Sequence, residues 1–171
     1  MLELVRGATL VIATMTMGLV AGLFYAYACS VMLALRHTDD RTFINVMQRI
    51  NVAILNGWFL LSFVGALLST GLAMVLHVYQ DGRPVLLPVA AALILYLVVI
   101  AITRRVNVPL NNRLGAAGQP DRIADPAMVR DHFERTWVRW NIVRAVVSTA
   151  AFGFLCWALV LYGRADTPSG I

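Results

Sequence analysis

The sequence contains no lysine, and only 13% of its 171 residues are charged. A soluble domain carries roughly 25% charged and about 45–50% apolar residues, whereas 60% of this chain is hydrophobic. These proportions exclude an ordinary soluble domain. They predict one integral membrane domain that covers residues 1–171.

Cysteine and histidine are also scarce. Cys29 and Cys156 each lie inside an apolar run, where buried free thiols are the expected form. His37, His77 and His132 share no HxxxH or similar spacing. The sequence therefore disfavours a metal site, while a haem held by a single histidine stays open.

Four apolar runs are each long enough for a membrane-spanning helix, which needs about 20 residues. They cover residues 8–35, 56–79, 85–103 and 141–162. The first run is too long, and too weakly basic at its start, for a signal peptide. A tight turn at residues 80–84 joins the second run to the third. We predict an all-α, antiparallel four-helix bundle with cytoplasmic helical extensions.

The positive charges indicate the topology. All 14 are arginines, and 11 of them lie from Arg36 to Arg49 or from Arg104 to Arg144. Because positive residues stay on the cytoplasmic side, loops 36–55 and 104–140 are predicted to be cytoplasmic. Both termini are then outside the inner (plasma) membrane. Because the arginines are explained by the orientation of the chain in the membrane, the net charge of +5 does not require a nucleic-acid partner.

A polar stripe opens the fourth span. Trp137, Trp140, Asn141 and Arg144 recur at i, i+3, i+4 and i+7, so they share one face of a helix, and Glu134 extends that face. Polar side chains in a span face protein or a wet cavity, which predicts a ligand site. The competing interpretation is an interfacial aromatic belt in which Glu134 pairs with Arg144.

Polar side chains from the other three spans are expected at the same end of the bundle. Pro109 has no N–H to donate, so the chain is predicted to leave the third span there. The asparagines around it can satisfy freed backbone groups or line a cavity, and both interpretations stay open. The candidate site residues outside the fourth span are Tyr25, Asn51, Asn56, Asn107, Asn111 and Asn112.

Two motifs in the second half of the chain resemble a known family. The run Asn107-Val108-Pro109-Leu110-Asn111-Asn112, followed by Trp137-x-x-Trp140-Asn141-x-x-Arg144, is similar to the anthrone oxygenase-like membrane proteins. The likeness covers essentially the whole chain, including the four spans and a glycine-rich first helix. It implies oxidation of an anthrone-like, electron-rich aromatic substrate by dioxygen, with no cofactor required.

The resemblance also suggests roles for individual residues. Arg144 and Asn141 are expected to donate hydrogen bonds to the anionic oxygen of an enolate. Glu134 or His132 is expected to remove the benzylic proton. The expected substrate-binding residues are Trp137, Trp140, Asn107, Asn111, Asn112, Tyr25, Asn51 and Asn56.

A second class of function is a non-enzymatic membrane bundle that binds a lipid, a quinone, haem or a partner helix. Transport is disfavoured because a single chain of four spans shows no internal repeat. The expected partners are a hydrophobic aromatic small molecule and membrane lipids, and the sequence is compatible with a homo-oligomer. Substitution of Arg144 separates the two classes, since an enzyme loses turnover and a structural cluster loses stability.

Overall fold

A computed structural model of the chain describes residues 1–78 and 84–165, and these residues form helices joined by short connections, without a β-strand. The helices are α1 (Leu2–Ala26), α2 (Met32–Leu35), α3 (Asp40–Ala53), α4 (Gly57–Val78), α5 (Leu86–Ile102), α6 (Val108–Ala116) and α7 (Pro126–Ala165). The all-α helical class is confirmed. The turn predicted at residues 80–84 lies outside the described residues apart from Pro84, as does Tyr79 at the end of the second predicted span.

Four helical stretches are long and apolar enough to cross a membrane, and each overlaps one of the four predicted spans. They run over Leu2–Leu35, Gly57–Val78, Leu86–Ala116 and Pro126–Arg164. The chain is therefore a membrane protein by the length and composition of its helices.

The four long helices pack in a ring, with α1 between α4 and α7, and α5 between α7 and α4. Side-chain contacts between helices show the direction in which they run. Arg6 Nε donates to the Leu76 carbonyl at 2.9 Å, and Thr16 lies 3.4 Å from Ser69 between hydroxyl oxygens. Positions early in α1 therefore meet positions late in α4, so these two neighbouring helices run antiparallel.

A second hydrophobic core lies beyond the end of the ring. We call the segment that encloses it the cap: α2, α3, α6, a short 3₁₀ turn (Pro120–Arg122) and the first half of α7. Its buried members include Phe43, Met47, Leu114, Phe133 and Trp137. The amphipathic α3 supplies one wall by burying Phe43, Ile44 and Met47.

Local signals explain where the cap helices begin and end. The Asp39 carboxylate accepts a hydrogen bond from the Thr42 N–H at 3.0 Å, which caps α3 and lowers the pKa of that carboxyl below its usual value. Asp125 caps α7 in the same way through the Met128 N–H at 2.9 Å, and Pro126 follows as predicted. Gly118 has a φ of 86°, which a side chain would strain, and it closes the turn after α6.

The expectation that the chain leaves helical geometry at Pro109 is wrong. A π-helical segment, Thr103–Asn107, joins α5 to α6 without a break, and Val108 N–H bonds to the Thr103 carbonyl five residues earlier. Pro109 then falls in the first turn of α6, where no intrahelical N–H is needed. The wider π turn thus accommodates Pro109, which has no backbone N–H to donate.

The first helix carries a second π-helical segment. It spans Tyr27–Val31 between α1 and α2, and Met32 N–H bonds to the Tyr27 carbonyl. Both π segments lie where the ring of long helices meets the cap. Single π turns inside α-helices occur often at functional sites, so the junction between the ring and the cap is a candidate location for one.

Candidate functional site

A cavity of about 180 Å³ lies at the junction between the ring and the cap. Its walls come from the end of α1, from α3 and α4, from the π segment at residues 103–107, and from α6 and α7. The lining residues are Leu23, Phe24, Tyr27, Ile50, Asn51, Ile54, Leu55, Phe59, Thr103, Asn107, Val108, Asn111, Asn112, Trp137, Asn141 and Arg144. Seven of the twelve residues predicted for the site are among them.

Arg144 is the charge at the centre of this cavity. Its side chain is buried, with 5% of the residue exposed, and it lies within the fourth predicted span. The guanidinium stands over the Phe24 ring at 4.3 Å and lies 5.6 Å from the Trp137 ring centroid. Within residues 1–78 and 84–165 no carboxylate pairs with it, so its positive charge is uncompensated by protein.

Asn141 holds the guanidinium in place. Its side-chain oxygen accepts a hydrogen bond from Arg144 Nη2 at 2.9 Å, and its Nδ2 donates to the Phe24 carbonyl at 3.1 Å. Thr103 Oγ1 accepts from Nη1 at 3.4 Å. These contacts orient Arg144 without neutralising it, and Arg144 Nε is buried with no partner among the described residues.

Two buried amides present unused hydrogen-bonding atoms. Asn107 is 1% exposed, and neither its Nδ2 nor its Oδ1 has a partner within the described part of the chain. In the same described ranges, Asn51 Nδ2 is also buried without a partner. Buried amides are nearly always hydrogen-bonded in native proteins, so unmatched ones beside a cavity indicate a polar ligand or water.

Aromatic rings form the apolar part of the wall. Trp137 Nε1 donates to Asn111 Oδ1 at 2.8 Å, which fixes the indole. The Tyr27 ring lies 5.8 Å from the Trp137 ring at a tilt of 54°, and Phe133 stacks on the far side at 6.0 Å. The cavity thus combines flat apolar walls with one buried cation and free amide groups, an arrangement that suits a flat aromatic anion.

The sequence profile of the anthrone oxygenase family matches residues 56–154, more than half of the chain. The chain belongs to the anthrone oxygenase family. A search of the curated proteins and a search of the solved structures each found no match. The matched segment contains every cavity residue from α4 to α7, whereas Tyr27 and Asn51 come from the unmatched N-terminal third.

In this anthrone oxygenase family member, Tyr25, Asn56 and Trp140 lie away from the cavity. Tyr25 is 62% exposed on the outer face of α1. Asn56 caps α4 by accepting the Phe59 N–H at 3.1 Å and donates to the Ala53 carbonyl. Trp140 is half-buried and lines none of the cavity wall.

The two candidate bases also lie elsewhere. Glu134 pairs with Arg130 at 2.6 Å, so the expected alternative pairing with Arg144 is absent. About seven residues at 1.5 Å each separate Glu134 from Asn141 along α7, roughly 10 Å. His132 lies nine residues before Asn141, close to 180° around the helix, and its Nδ1 is 2.7 Å from the Met128 carbonyl.

Sequence reasoning missed Tyr27, Phe24 and Thr103. The signal was present in the inward stripe of α1, which runs through Leu10, Met17 and Phe24 at helical spacing and continues to Tyr27. Tyr25 lies seven residues after Gly18, on a different face of the helix from Tyr27. Gly18 contacts the Phe152 ring on α7, where an added Cβ would lie 3.0 Å from a ring carbon, so that face serves helix packing.

Proposed function

We propose that this protein is a membrane-embedded oxygenase that oxidises an anthrone-like, electron-rich aromatic substrate with dioxygen. The observation that carries the proposal is the buried Arg144 guanidinium, which has no carboxylate partner within the described residues and stands between aromatic rings. A cation buried in this way is costly unless a ligand supplies the matching negative charge. Family membership indicates which ligand to test first.

The chemistry of an anthrone fits such a site. Loss of one benzylic proton gives an enolate, whose oxygen carries the negative charge and whose ring system becomes a strong one-electron donor. The enolate reduces dioxygen, and the resulting radical pair combines to a peroxide at the same carbon. Loss of water then gives the anthraquinone, so that one substrate and one O₂ give one quinone and one H₂O.

The protein groups divide between binding and orientation. Arg144 and the free amide of Asn107 are suited to hold the enolate oxygen. Asn141, which the sequence suggested as a second donor, already uses its Nδ2 on the Phe24 carbonyl and its oxygen on Arg144. We therefore assign Asn141 a positioning role. Trp137 is suited to cover a face of the ring system.

The size of the cavity also favours a small flat substrate. About 180 Å³ is less than the roughly 300–1,000 Å³ of a typical drug-sized pocket. Two or three fused rings match this space better than haem or a phospholipid, which the alternative function would require. Histidine does not line the cavity in the part of the chain that is described.

We also propose which membrane contains the chain and how the chain is oriented in it. The arginine asymmetry supports the inner (plasma) membrane, with the cap in the cytoplasm and both termini outside. In that orientation the cavity lies near the cytoplasmic lipid surface. An apolar substrate can reach it from the bilayer, and membrane lipids are its immediate surroundings.

The test uses the full chain in detergent or lipid nanodiscs. Oxygen uptake and quinone absorbance are followed with anthrone, and spontaneous oxidation is measured in the same buffer without protein. We expect a protein-dependent rate that is abolished in Arg144→Met at equal concentration. Saturable binding of anthrone without faster oxidation would contradict the oxygenase and favour the non-enzymatic binding bundle.

A further inference from the structure

The proposed reaction needs a proton acceptor, and the cavity offers few. Of the residues that line it, only Tyr27 and Arg144 carry ionisable side chains. The other polar lining residues are Thr103 and asparagines, which do not act as bases near neutral pH. Glu134 and His132 line separate cavities, one beside Arg36 and Arg135 and the other between α6 and α7.

We infer that Tyr27 is the general base, and that its phenolate removes the benzylic proton of the substrate. This inference rests on the proposed oxygenase function. It concerns a residue that lies outside the segment matched by the family profile, and it names the acceptor that the sequence assigned to Glu134 or His132.

The placement of Tyr27 follows from the π segment that it begins. Its ring is half-buried and is tilted against Trp137, the residue suited to stack on the substrate. No group in residues 1–78 or 84–165 hydrogen-bonds its hydroxyl. The hydroxyl is therefore available to a ligand that rests on Trp137.

One charged side chain, Arg144, lines the described cavity beside Tyr27. Tyr27 faces Arg144 of α7, and the lining residues of α3, α4, α6 and the residue 103–107 segment add amides, a hydroxyl and apolar side chains but no second charge. The attraction between this guanidinium and a phenolate opposes the cost of removing the phenolate from water. Arg144 then serves two anions in turn, first the phenolate and then the enolate.

The proton balance closes over one turnover. The Tyr27 phenolate takes the first benzylic proton, which leaves the enolate. After dioxygen adds, Tyr27 returns that proton to the peroxide. The regenerated phenolate takes the second proton from the same carbon, the O–O bond breaks, and the departing hydroxide takes this proton and leaves as water.

Anaerobic deuterium exchange isolates this step from the oxygen chemistry. Anthrone is incubated in D₂O without O₂, and incorporation of deuterium at the benzylic carbon is followed by NMR. The wild-type protein is expected to accelerate exchange above the buffer rate. Because a general base contributes about 10²–10⁴-fold, Tyr27→Phe should lower this acceleration by roughly 100-fold or more.

Tyr25→Phe is the matched control, since Tyr25 is two residues away on the exposed face. It should keep wild-type exchange and oxygen uptake, and thermal unfolding in detergent should show both variants folded. If Tyr27→Phe retains exchange and turnover while the wild type oxidises anthrone, the assignment of Tyr27 is wrong and the oxygenase stands. If the wild type does not oxidise anthrone at all, the proposed function itself fails.

Discussion

The side chains of Arg144 and Asn141 are joined by a hydrogen bond of 2.9 Å between Nη2 and Oδ1, within one turn of α7. Asn141 is itself anchored on the Phe24 carbonyl in the first helix. An amide can orient a guanidinium but cannot cancel its charge. The pair therefore holds a cation in a fixed position inside the protein and leaves its charge available to a bound ligand.

Replacement of Arg144 by methionine should separate catalysis from stability. Methionine fills similar space without the charge, so the cost of burying an unpaired cation disappears. We expect thermal stability in detergent to stay the same or to rise, while kcat for anthrone oxidation falls by roughly 100- to 1,000-fold, the usual effect of removing an oxyanion donor. Scanning fluorimetry and oxygen uptake on one preparation measure both.

Arg130→Met is the matched control for that substitution. Arg130 pairs with Asp40 at 3.0 Å and with Glu134 at 2.6 Å, and it also donates to the Thr38 carbonyl. Its loss leaves those acceptors unsatisfied, so stability should fall by about 1–3 kcal/mol. A marked loss of stability in Arg144→Met, similar to that in Arg130→Met, would mean that Arg144 is structural too.

Asn107→Leu should stabilise the ligand-free protein and weaken its function. Both polar atoms of the Asn107 side chain are buried without partners in residues 1–78 and 84–165. Leucine has nearly the same shape with no polar group to desolvate. The free energy of unfolding should rise by roughly 1–3 kcal/mol. Activity should fall because the substrate loses a hydrogen-bond donor. Denaturant unfolding in mixed micelles and oxygen uptake test the two effects.

Asn56→Ala provides the contrast. Asn56 caps α4 at the surface and does not line the cavity, so its loss should destabilise the protein by about 1 kcal/mol with unchanged turnover per folded molecule. If Asn107→Leu is destabilising instead, its amide has a structural partner that protein atoms alone do not provide, such as a bound water.

The general architecture was predictable because the hydrophobic signal is strong. Long apolar runs, and breakers such as Asp125-Pro126, identify four long helices from composition alone. The approach of Asn107, Trp137 and Arg144 was also accessible, because antiparallel spans bring alternate loops to one end. The family profile independently matches that part of the chain.

The errors at the site come from local helix geometry. Tyr25 and Tyr27 lie about 200° apart on a helix, and the predicted site residue is Tyr25, whereas Tyr27 lines the cavity. A π turn changes which face of the helix the later residues occupy. No residue pattern at Thr103 or Tyr27 predicts such a turn. Glu134 shares the face of Asn141 by periodicity, but Arg130 one turn earlier binds it inside the cap.

The last prediction concerns how a substrate reaches the cavity. Leu55 and Val108 both line it and are 68% and 41% exposed, so the cavity opens to the surface at these two residues. Both residues are apolar, which fits an opening toward lipid. Leu55→Trp should narrow this opening and lower kcat/KM for anthrone by about tenfold or more, with kcat less affected because the groups around Arg144 are untouched. Leu68→Trp, at a 65% exposed position on α4 outside the cavity, should leave both constants unchanged. Equal effects of the two tryptophans would place the route elsewhere, whereas an effect of Leu55→Trp alone identifies this opening as the path from the bilayer to Arg144.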